Sequence, residues 1–287
     1  MQQYLNLLQQ VLNEGTWQSN RTGIATKRIE GAMLQFDMAK GFPAVTTKKL
    51  AFNAVKGELI GFIRGVTNAA QFRQLGCKVW DQNANENEQW LSSPYRDGQD
   101  DLGRTYGAQW RDWSFVGYND SPCYIDQLAT LIDTIKKDPT NRRMLVTAWN
   151  PGELKRMALP PCHLLFQVLI DVSSNRLSLC MYQRSCDMFL GIPFNIASYA
   201  LLLHILAKAT GYLPGRLTMF LADVHIYENH IYQVELQLTR KPIALPQLFI
   251  TPNGHYSGME YLSKLEPDHI SLLGYRSHPA IKAEMAV

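Results

Sequence analysis

A single α+β domain is the architecture this sequence predicts, and three observations predict it. Segments whose apolar residues recur at helical spacing are interleaved with short runs of alternating or continuous apolar character, the pattern of mixed helices and strands. The 287 residues contain no internal repeat, low-complexity tract or linker that would divide them. The apolar, charged, Gly and Pro fractions are those of an ordinary globular chain, long enough to bury a sizeable core. A net charge of +3 is too small to argue for DNA or another polyanion as partner, and it leaves room for a local phosphate site. Five cysteines, odd in number and without paired spacing, speak against a disulfide framework and for a reducing compartment. No CxxC or HxxxH spacing offers a metal site. Met1-Gln2-Gln3-Tyr4 lacks the basic start and apolar core of a signal peptide. The most apolar stretch, residues 196–207, is far shorter than the roughly 20 residues of a membrane span. The expected location is the cytoplasm.

Taken in order, Tyr4, Leu5, Leu8, Val11 and Leu12 recur at helical spacing, with Gly15 as the C-terminal stop. Asn20-Arg21-Thr22-Gly23 reads as a loop. Leu34, Phe36 and Met38 alternate with Gln35 and Asp37, a half-buried strand. Asn53 is placed to cap a helix whose apolar face is Val55, Leu59, Phe62 and Ile63. Glu58 falls three residues after Val55 and four before Phe62, on that same face. A carboxylate there is costly unless protonated, paired or hydrogen-bonded. It is either a helix-edge residue that reaches solvent or a general acid of raised pKa.

Residues 82–104 are polar, with repeated Asn, Asp and Ser, and read as a long loop or insert beside a pocket, between Trp80 and Tyr106. Ile125, Leu128, Leu131, Ile132 and Ile135 define an amphipathic helix that ends before Asp138-Pro139. Arg142-Arg143 open a strand over 144–149, a place where paired arginines usually face water. Strands over 164–172 and 177–182 are joined by Ser173-Ser174-Asn175 in a hairpin. Residues 196–208 are apolar nearly all round, a core helix that ends at Gly211. A strand over 217–227 carries Asp223, His225 and Tyr227. The last two share one face, a pattern that fits core packing as well as ligand binding. A last helix runs through Ile231, Val234 and Leu238, and a strand over 247–250 follows.

The chemistry concentrates between Leu159 and Ser198. A lone cysteine is most often a buried small hydrophobe, but the surroundings of Cys162 differ. Pro160 and Pro161 fix the backbone before it, and a strand follows, so the thiol sits at the lip of a sheet. Arg184 and His163 are candidate cations for a thiolate, the form of cysteine that attacks carbon. Asn195 offers an acceptor and two donors, suited to a ring with adjacent N–H and C=O groups.

The run Ala158-Leu159-Pro160-Pro161-Cys162-His163, then residues 181–187 (Met-Tyr-Gln-Arg-Ser-Cys-Asp) and 191–199, resembles thymidylate synthase. So do, in the same order as in that family, Asn20-Arg21-Thr22-Gly23, Phe42-Pro43, Thr46-Thr47-Lys48, Glu58, Trp80-Asp81, Tyr106-Gly107, Arg142-Arg143, His225-Ile226-Tyr227 and Ile281-Lys282-Ala283. The resemblance spans essentially the whole chain. It implies one catalytic domain over residues 1–287, a large mixed sheet packed with helices, and a homodimer formed through the sheet face. It also implies reductive methylation of dUMP to dTMP, with 5,10-methylenetetrahydrofolate as one-carbon and hydride donor and no metal. Cys162 would attack uracil C6, turning C5 into an enolate-like carbon, and dihydrofolate would be released. Glu58 would relay protons to O4 and the folate nitrogens, and Tyr106, or a water it positions, would help remove the C5 proton. His163, Arg184, Asn195 and Asp223 complete the implied catalytic set. The nucleotide would be held by Arg21, Gln183, Arg184, Ser185, Asp187 and Asn195, with His225 and Tyr227 on the sugar 3′-hydroxyl. Arg142 and Arg143 would cross to the phosphate of the partner's nucleotide. The reduced folate would lie against Trp80, Asp187, Leu190, Gly191, Phe194, Tyr227 and Ala283, with Val287 folding over it. An Asp at position 195 is the pattern of deoxycytidylate hydroxymethylases, so Asn195 argues for uracil.

Some positions depart from the family pattern. Gly61 stands where a Trp is usual, Asn83 replaces a second Trp, Leu221-Ala222 replace Gly-Gly, and Arg104 and Glu284 each replace a Pro. Lost aromatic walls there would admit water and give a hydroxymethylase, making 5-hydroxymethyl-dUMP and tetrahydrofolate. A non-catalytic nucleotide- or RNA-binding protein on the same scaffold would have lost the thiol or the acid, and both Cys162 and Glu58 are present.

Overall fold

The computed structural model describes residues 1–251 and 255–284. The chain begins with α1 (Gln2–Glu14), β1 (Thr16–Gln18) and the long β2 (Thr26–Asp37). Then come α2 (Phe52–Ile63), α3 (Ala69–Gln74), α4 (Asp81–Asn85), α5 (Glu88–Leu91) and α6 (Tyr106–Arg111). A hairpin of β3 (Trp113–Val116) and β4 (Pro122–Ile125) leads to α7 (Gln127–Lys137) and the short β5 (Leu145–Thr147). The central strands β6 (His163–Asp171) and β7 (Arg176–Asp187) precede α8 (Gly191–Thr210) and β8 (Leu213–Tyr227). The chain closes with α9 (Ile231–Leu238), β9 (Gln247–Ile250), α10 (Gly258–Lys264) and β10 (Ile270–Leu273).

The predicted α+β class holds, with a mixed six-stranded sheet in the order β1-β2-β8-β7-β6-β5. β7 and β8 run parallel, because α8 carries the chain back between them; the other pairings are antiparallel. Alternation along the strands makes the two faces unequal. One cross-strand row, Leu34, Met219, Met181, Phe166 and Val146, is buried under the helices. The neighbouring row on the opposite face leaves Met33 55%, Phe220 44% and Tyr182 38% exposed, with Leu145 and Leu169 each 42% exposed on the same side.

α8 packs on the buried face, with Leu201, Leu202, Leu203, Ile205 and Leu206 all inside. At 20 residues it is longer than the apolar stretch read from sequence, and it is long and apolar enough to cross a membrane by those criteria alone. Its most apolar window is 78% buried within the fold, as a core helix is. Gly211 ends it in the left-handed region (φ 83°), where a side chain would be strained. Gly15 ends α1 for a different reason. Its φ is −63°, but a Cβ there would lie 2.5 Å from the carbonyl oxygen of Val11.

Several expected boundaries move. Asn53 is not the cap of α2; Ala51 holds that place without a side-chain hydrogen bond, and Asn53 lies in the first turn. Met38 leaves its strand for a short 3-10 turn. Ile125 ends β4 rather than opening α7, whose N-terminus is capped by Asp126 accepting from the Ala129 N–H. The strand expected over 144–149 keeps only Leu145–Thr147. The hairpin turn is where it was expected, with Asn175 at φ 53°, but β7 continues to Asp187 and α8 begins at Gly191, so 187–195 is a tight strand-to-helix corner. The helix at Ile231–Leu238 is not the last, since α10 follows.

The polar insert is ordered. α5 and all but the first residue of α4 lie within it, the Trp90 indole is buried and donates to the Asp101 carbonyl at 2.7 Å, and Asp100 accepts from both Arg73 Nη1 and Nη2. Its end is stitched to the segment ahead of the two prolines. The Arg104 N–H donates to the Arg156 carbonyl, the Ala158 N–H to the Leu102 carbonyl, and the Asn87 amide to the Ala158 carbonyl.

Candidate active site

Cys162 sits one residue before β6, half-buried, at the open end of the sheet. Its backbone is pinned on both sides. Its N–H donates to the Tyr106 hydroxyl at 2.6 Å, and its carbonyl accepts the Arg184 N–H at 2.8 Å. Arg184 folds back over this turn, donating from Nε to the Pro161 carbonyl at 2.8 Å and from Nη2 to the Pro160 carbonyl at 3.0 Å. That posture leaves Nη2 4.0 Å from the sulfur. Both proline carbonyls thus serve as acceptors that hold the guanidinium over the turn.

Two electrostatic expectations change. His163 is not a cation beside the sulfur. It is buried, burial pulls its pKa down to about 3, and its Nδ1 shares a 2.8 Å hydrogen bond with the Tyr199 hydroxyl. Its ring is neutral and stacks on Tyr106 with centroids 4.1 Å apart. The Cys162 thiol is also pushed above its ordinary pKa by burial, although Arg184 and then Arg21 pull it down. The resting sulfur is a thiol, held where two cationic side chains act on it.

Glu58 is buried on α2 and accepts from the Trp80 indole N–H at 3.0 Å. Burial raises its pKa to about 8, and the indole hydrogen bond opposes that shift only in part. It is therefore a protonated acid at neutral pH, and the solvent-reaching alternative falls. The rings of Phe62, Trp80, Tyr106 and His163 close the space between acid and cysteine, with Phe62 stacked on Tyr106 at 4.8 Å. The expected gap beside Gly61 is filled by the ring of Phe72, stacked on Trp80.

The corner after β7 supplies the polar groups. Gln183 Nε2 donates both to the Ser185 carbonyl (2.9 Å) and to Asn195 Oδ1 (3.0 Å), and Gln183 Oε1 is buried without a partner among the described residues. Asp187 Oδ1 accepts from the N–H groups of Phe189 and Leu190, fixing the turn into α8. Leu190 and Phe194 are half-buried beside it. Pairing of β7 with β8 sets Ser185 opposite Asp223 and Asp187 opposite His225. His225 Nδ1 lies 3.2 Å from Asp223 Oδ1, and Asp223 also pairs with Arg28 at 3.4 Å, so this carboxylate orients its neighbours. The His225 and Tyr227 rings meet edge to face.

The charge of the exposed Arg21 pulls the pKa of both Cys162 and Tyr227 down, against the larger effect of burial at each. Arg142 and Arg143 do not join the cluster within one chain. Both are exposed, and neither guanidinium pairs with a carboxylate among the described residues. Ala283 packs against the core, and the carbonyl of Glu284 hydrogen-bonds His230 at 2.7 Å; Val287 lies outside the described residues. Sequence reasoning missed Tyr199, whose hydroxyl on an apolar helix was the available signal, because a buried phenol needs a partner. It also gave no role to the buried Lys48, whose Nζ lies 3.5 Å above the Phe189 ring and whose pKa burial lowers to about 8.

The family model described as thymidylate synthase matches residues 2–287. This chain belongs to the thymidylate synthase family. Among its relatives, a thymidylate synthase of Bordetella parapertussis is 46% identical, with both chains covered in full, and that of Pseudomonas putida is 45% identical over the whole of each chain. Thymidylate synthases are methyltransferases, and the chain is an enzyme of that class. No group of three or more His, Cys, Asp or Glu side chains that could hold a metal is present among the described residues.

Proposed function

We propose that the enzyme methylates dUMP to dTMP in the cytoplasm, with Cys162 forming a covalent bond to uracil C6. The observation that supports this reading is that three groups are tied to one end of the sheet: a thiol 4.0 Å from a guanidinium, a buried protonated acid joined to it through Trp80 and Tyr106, and an amide fixed by Gln183. As the carbon–sulfur bond forms, the thiol proton passes to solvent water and negative charge develops toward uracil O4. Glu58 holds the proton that neutralises it, and Arg184 and Arg21 stabilise the sulfur's anionic character. Tyr106 holds the Cys162 backbone and so sets the direction of attack.

Asn195 selects the base. Gln183 cannot turn its amide without placing an oxygen against the Ser185 carbonyl, and that fixes Oδ1 of Asn195 toward Gln183. The remaining lone pair of Oδ1 then accepts from N3–H and the amide N–H donates to O4, the pattern of uracil rather than cytosine. Arg21, Arg184 and Ser185 bind the phosphate, and His225 and Tyr227 bind the sugar.

One structural feature supports a folate site here. Gly191 keeps open the face between Asp187 and Asn195, where a Cβ would stand 3.5 Å from Asp187 Cβ and 3.7 Å from Asn195 Oδ1. Asp187, Leu190, Gly191, Phe194, Trp80, Tyr227 and Ala283 would hold the ring system. Bound there, 5,10-methylenetetrahydrofolate supplies the one-carbon unit and the hydride. With Phe72 filling the place beside Gly61, Trp80 remains a dry wall, which favours reduction to methyl over capture of water. Incubation with dUMP and methylenetetrahydrofolate should give dTMP and dihydrofolate in equal amounts. A 5-hydroxymethyl nucleotide with unoxidised tetrahydrofolate would overturn this assignment.

The active form is a homodimer through the exposed sheet face, where Met33, Phe220, Tyr182, Leu145 and Leu169 present apolar surface. Arg142 and Arg143, unused in their own chain, reach the partner's phosphate site. A shared site predicts subunit complementation. An Arg142→Ala/Arg143→Ala variant and a Cys162→Ser variant, each inactive, should recover about one quarter of parental activity when unfolded together and refolded as a mixture. No recovery in a mixture that does form mixed dimers would show that each site is built from one chain.

A further inference from the structure

Gly61 lies in the last turn of α2, and the space a side chain would need there is occupied. A Cβ at 61 would stand 2.2 Å from Cε1, 2.7 Å from Cδ1 and 3.0 Å from Cζ of Phe72, well inside any real contact distance. Phe72 comes from α3 and is fully buried. Its ring is stacked on the Trp80 indole (centroids 6.1 Å apart, planes 27° apart) and stands edge-on to Phe62 at 5.8 Å. Trp80 in turn directs its only polar hydrogen at Glu58 Oε1. The indole has two faces and one donor, so a stacked ring fixes the plane in which that donor can point.

We propose that Gly61 and Phe72 are positioning residues of the active site: the absent side chain at 61 admits the Phe72 ring, which holds Trp80 in the orientation that hydrogen-bonds Glu58. Neither residue touches substrate. Their effect passes through the indole to the acid, and through Phe62 to the Tyr106 and His163 stack that borders Cys162. The proposal rests on the assignment of Glu58 as the proton donor, and its test separates the two.

The test compares the parent with Gly61→Ala, which drives Phe72 against Trp80. Phe72→Leu leaves the indole unclamped, and the double variant trades volume between the two positions. Gly61→Ala should lower kcat at least about tenfold while the KM for dUMP stays within about threefold, because the nucleotide groups are elsewhere. Displacing the indole removes a hydrogen bond that favours the ionised carboxylate. The Glu58 midpoint, read without turnover from the carboxylic C=O infrared band that is lost in Glu58→Gln, should therefore move up by about one pH unit. The double variant should recover at least about half of the lost kcat and return the midpoint toward the parent's. If Gly61→Ala does not fold, Phe72→Leu serves, with the same fall in kcat and unchanged KM for dUMP. A Gly61→Ala enzyme with parental kcat and midpoint, or a double variant no better than the single, would overturn the proposal. A parent whose kcat ignores the protonation of Glu58, while the midpoint still moves in Gly61→Ala, would instead sink the role given to Glu58 and leave the positioning intact.

Discussion

Cys162→Ser should lose turnover by roughly 10⁴-fold or more while still binding dUMP within a few-fold of the parent. A serine hydroxyl fits the same space but is far less acidic, and Arg184 and Arg21 pull the thiol's pKa down only against a larger opposing effect of burial. A site that does not bring a thiol below its ordinary pKa will not ionise an alcohol. The backbone of residue 162 is anchored through its N–H and carbonyl and not through the sulfur, so the turn should survive the substitution. The phosphate and sugar groups are untouched, which is why binding should persist. Mass spectrometry of the denatured protein after incubation with dUMP and the folate should show a nucleotide adduct in the parent and none in the variant. A serine variant that keeps a tenth of the parental rate, or an adduct on another residue, would remove Cys162 from the chemistry. A protein that only bound nucleotides would behave identically with either residue.

Much of this site was legible because its residues lie in short, rigid contexts. The Pro160-Pro161-Cys162-His163 run fixed its own geometry, and the helical spacing around Glu58 placed a carboxylate on a buried face before any coordinates. The neutral state of His163 was not legible. A histidine next to a cysteine suggests a cation, and only the tertiary burial that places it between Tyr106 and Tyr199 makes the charged form too costly. The same burial reverses the expected state of the sulfur. Gly61 could be read only as a missing wall, because the residue that fills the gap is eleven positions away on another helix. Element boundaries failed where tertiary pairing overrode local pattern. Ile125 has the spacing of a helical residue, yet it pairs with Trp113 across a hairpin whose other strand carries no comparable signal. The insert at 82–104 read as a long loop because several of its anchors are polar. Asp100 on Arg73 and Asn87 on the Ala158 carbonyl leave no periodic trace in sequence.

Glu58→Gln tests the acid in two independent ways. Glutamine keeps the size and an oxygen to accept the Trp80 N–H, but it cannot give up a proton, so kcat should fall by roughly 10²–10⁴-fold with little change in dUMP affinity. In the parent, the step that needs the protonated acid should slow as pH rises through about 8, and that limb should be missing from the residual activity of the variant. Stability supplies the second readout. Burial raises the folded-state pKa from the ordinary 4.5 of a free glutamate to about 8, so between those limits the folded protein binds a proton that the unfolded chain has released. Stability must therefore decline as pH rises through this window, by an amount on the order of a few kcal/mol, and level off above it. The glutamine variant carries no such burden. Its melting temperature should match the parent's near pH 5 and exceed it progressively toward pH 8. If the two proteins respond in parallel across that range, Glu58 is ionised in the folded state, and a different group must deliver the proton to uracil.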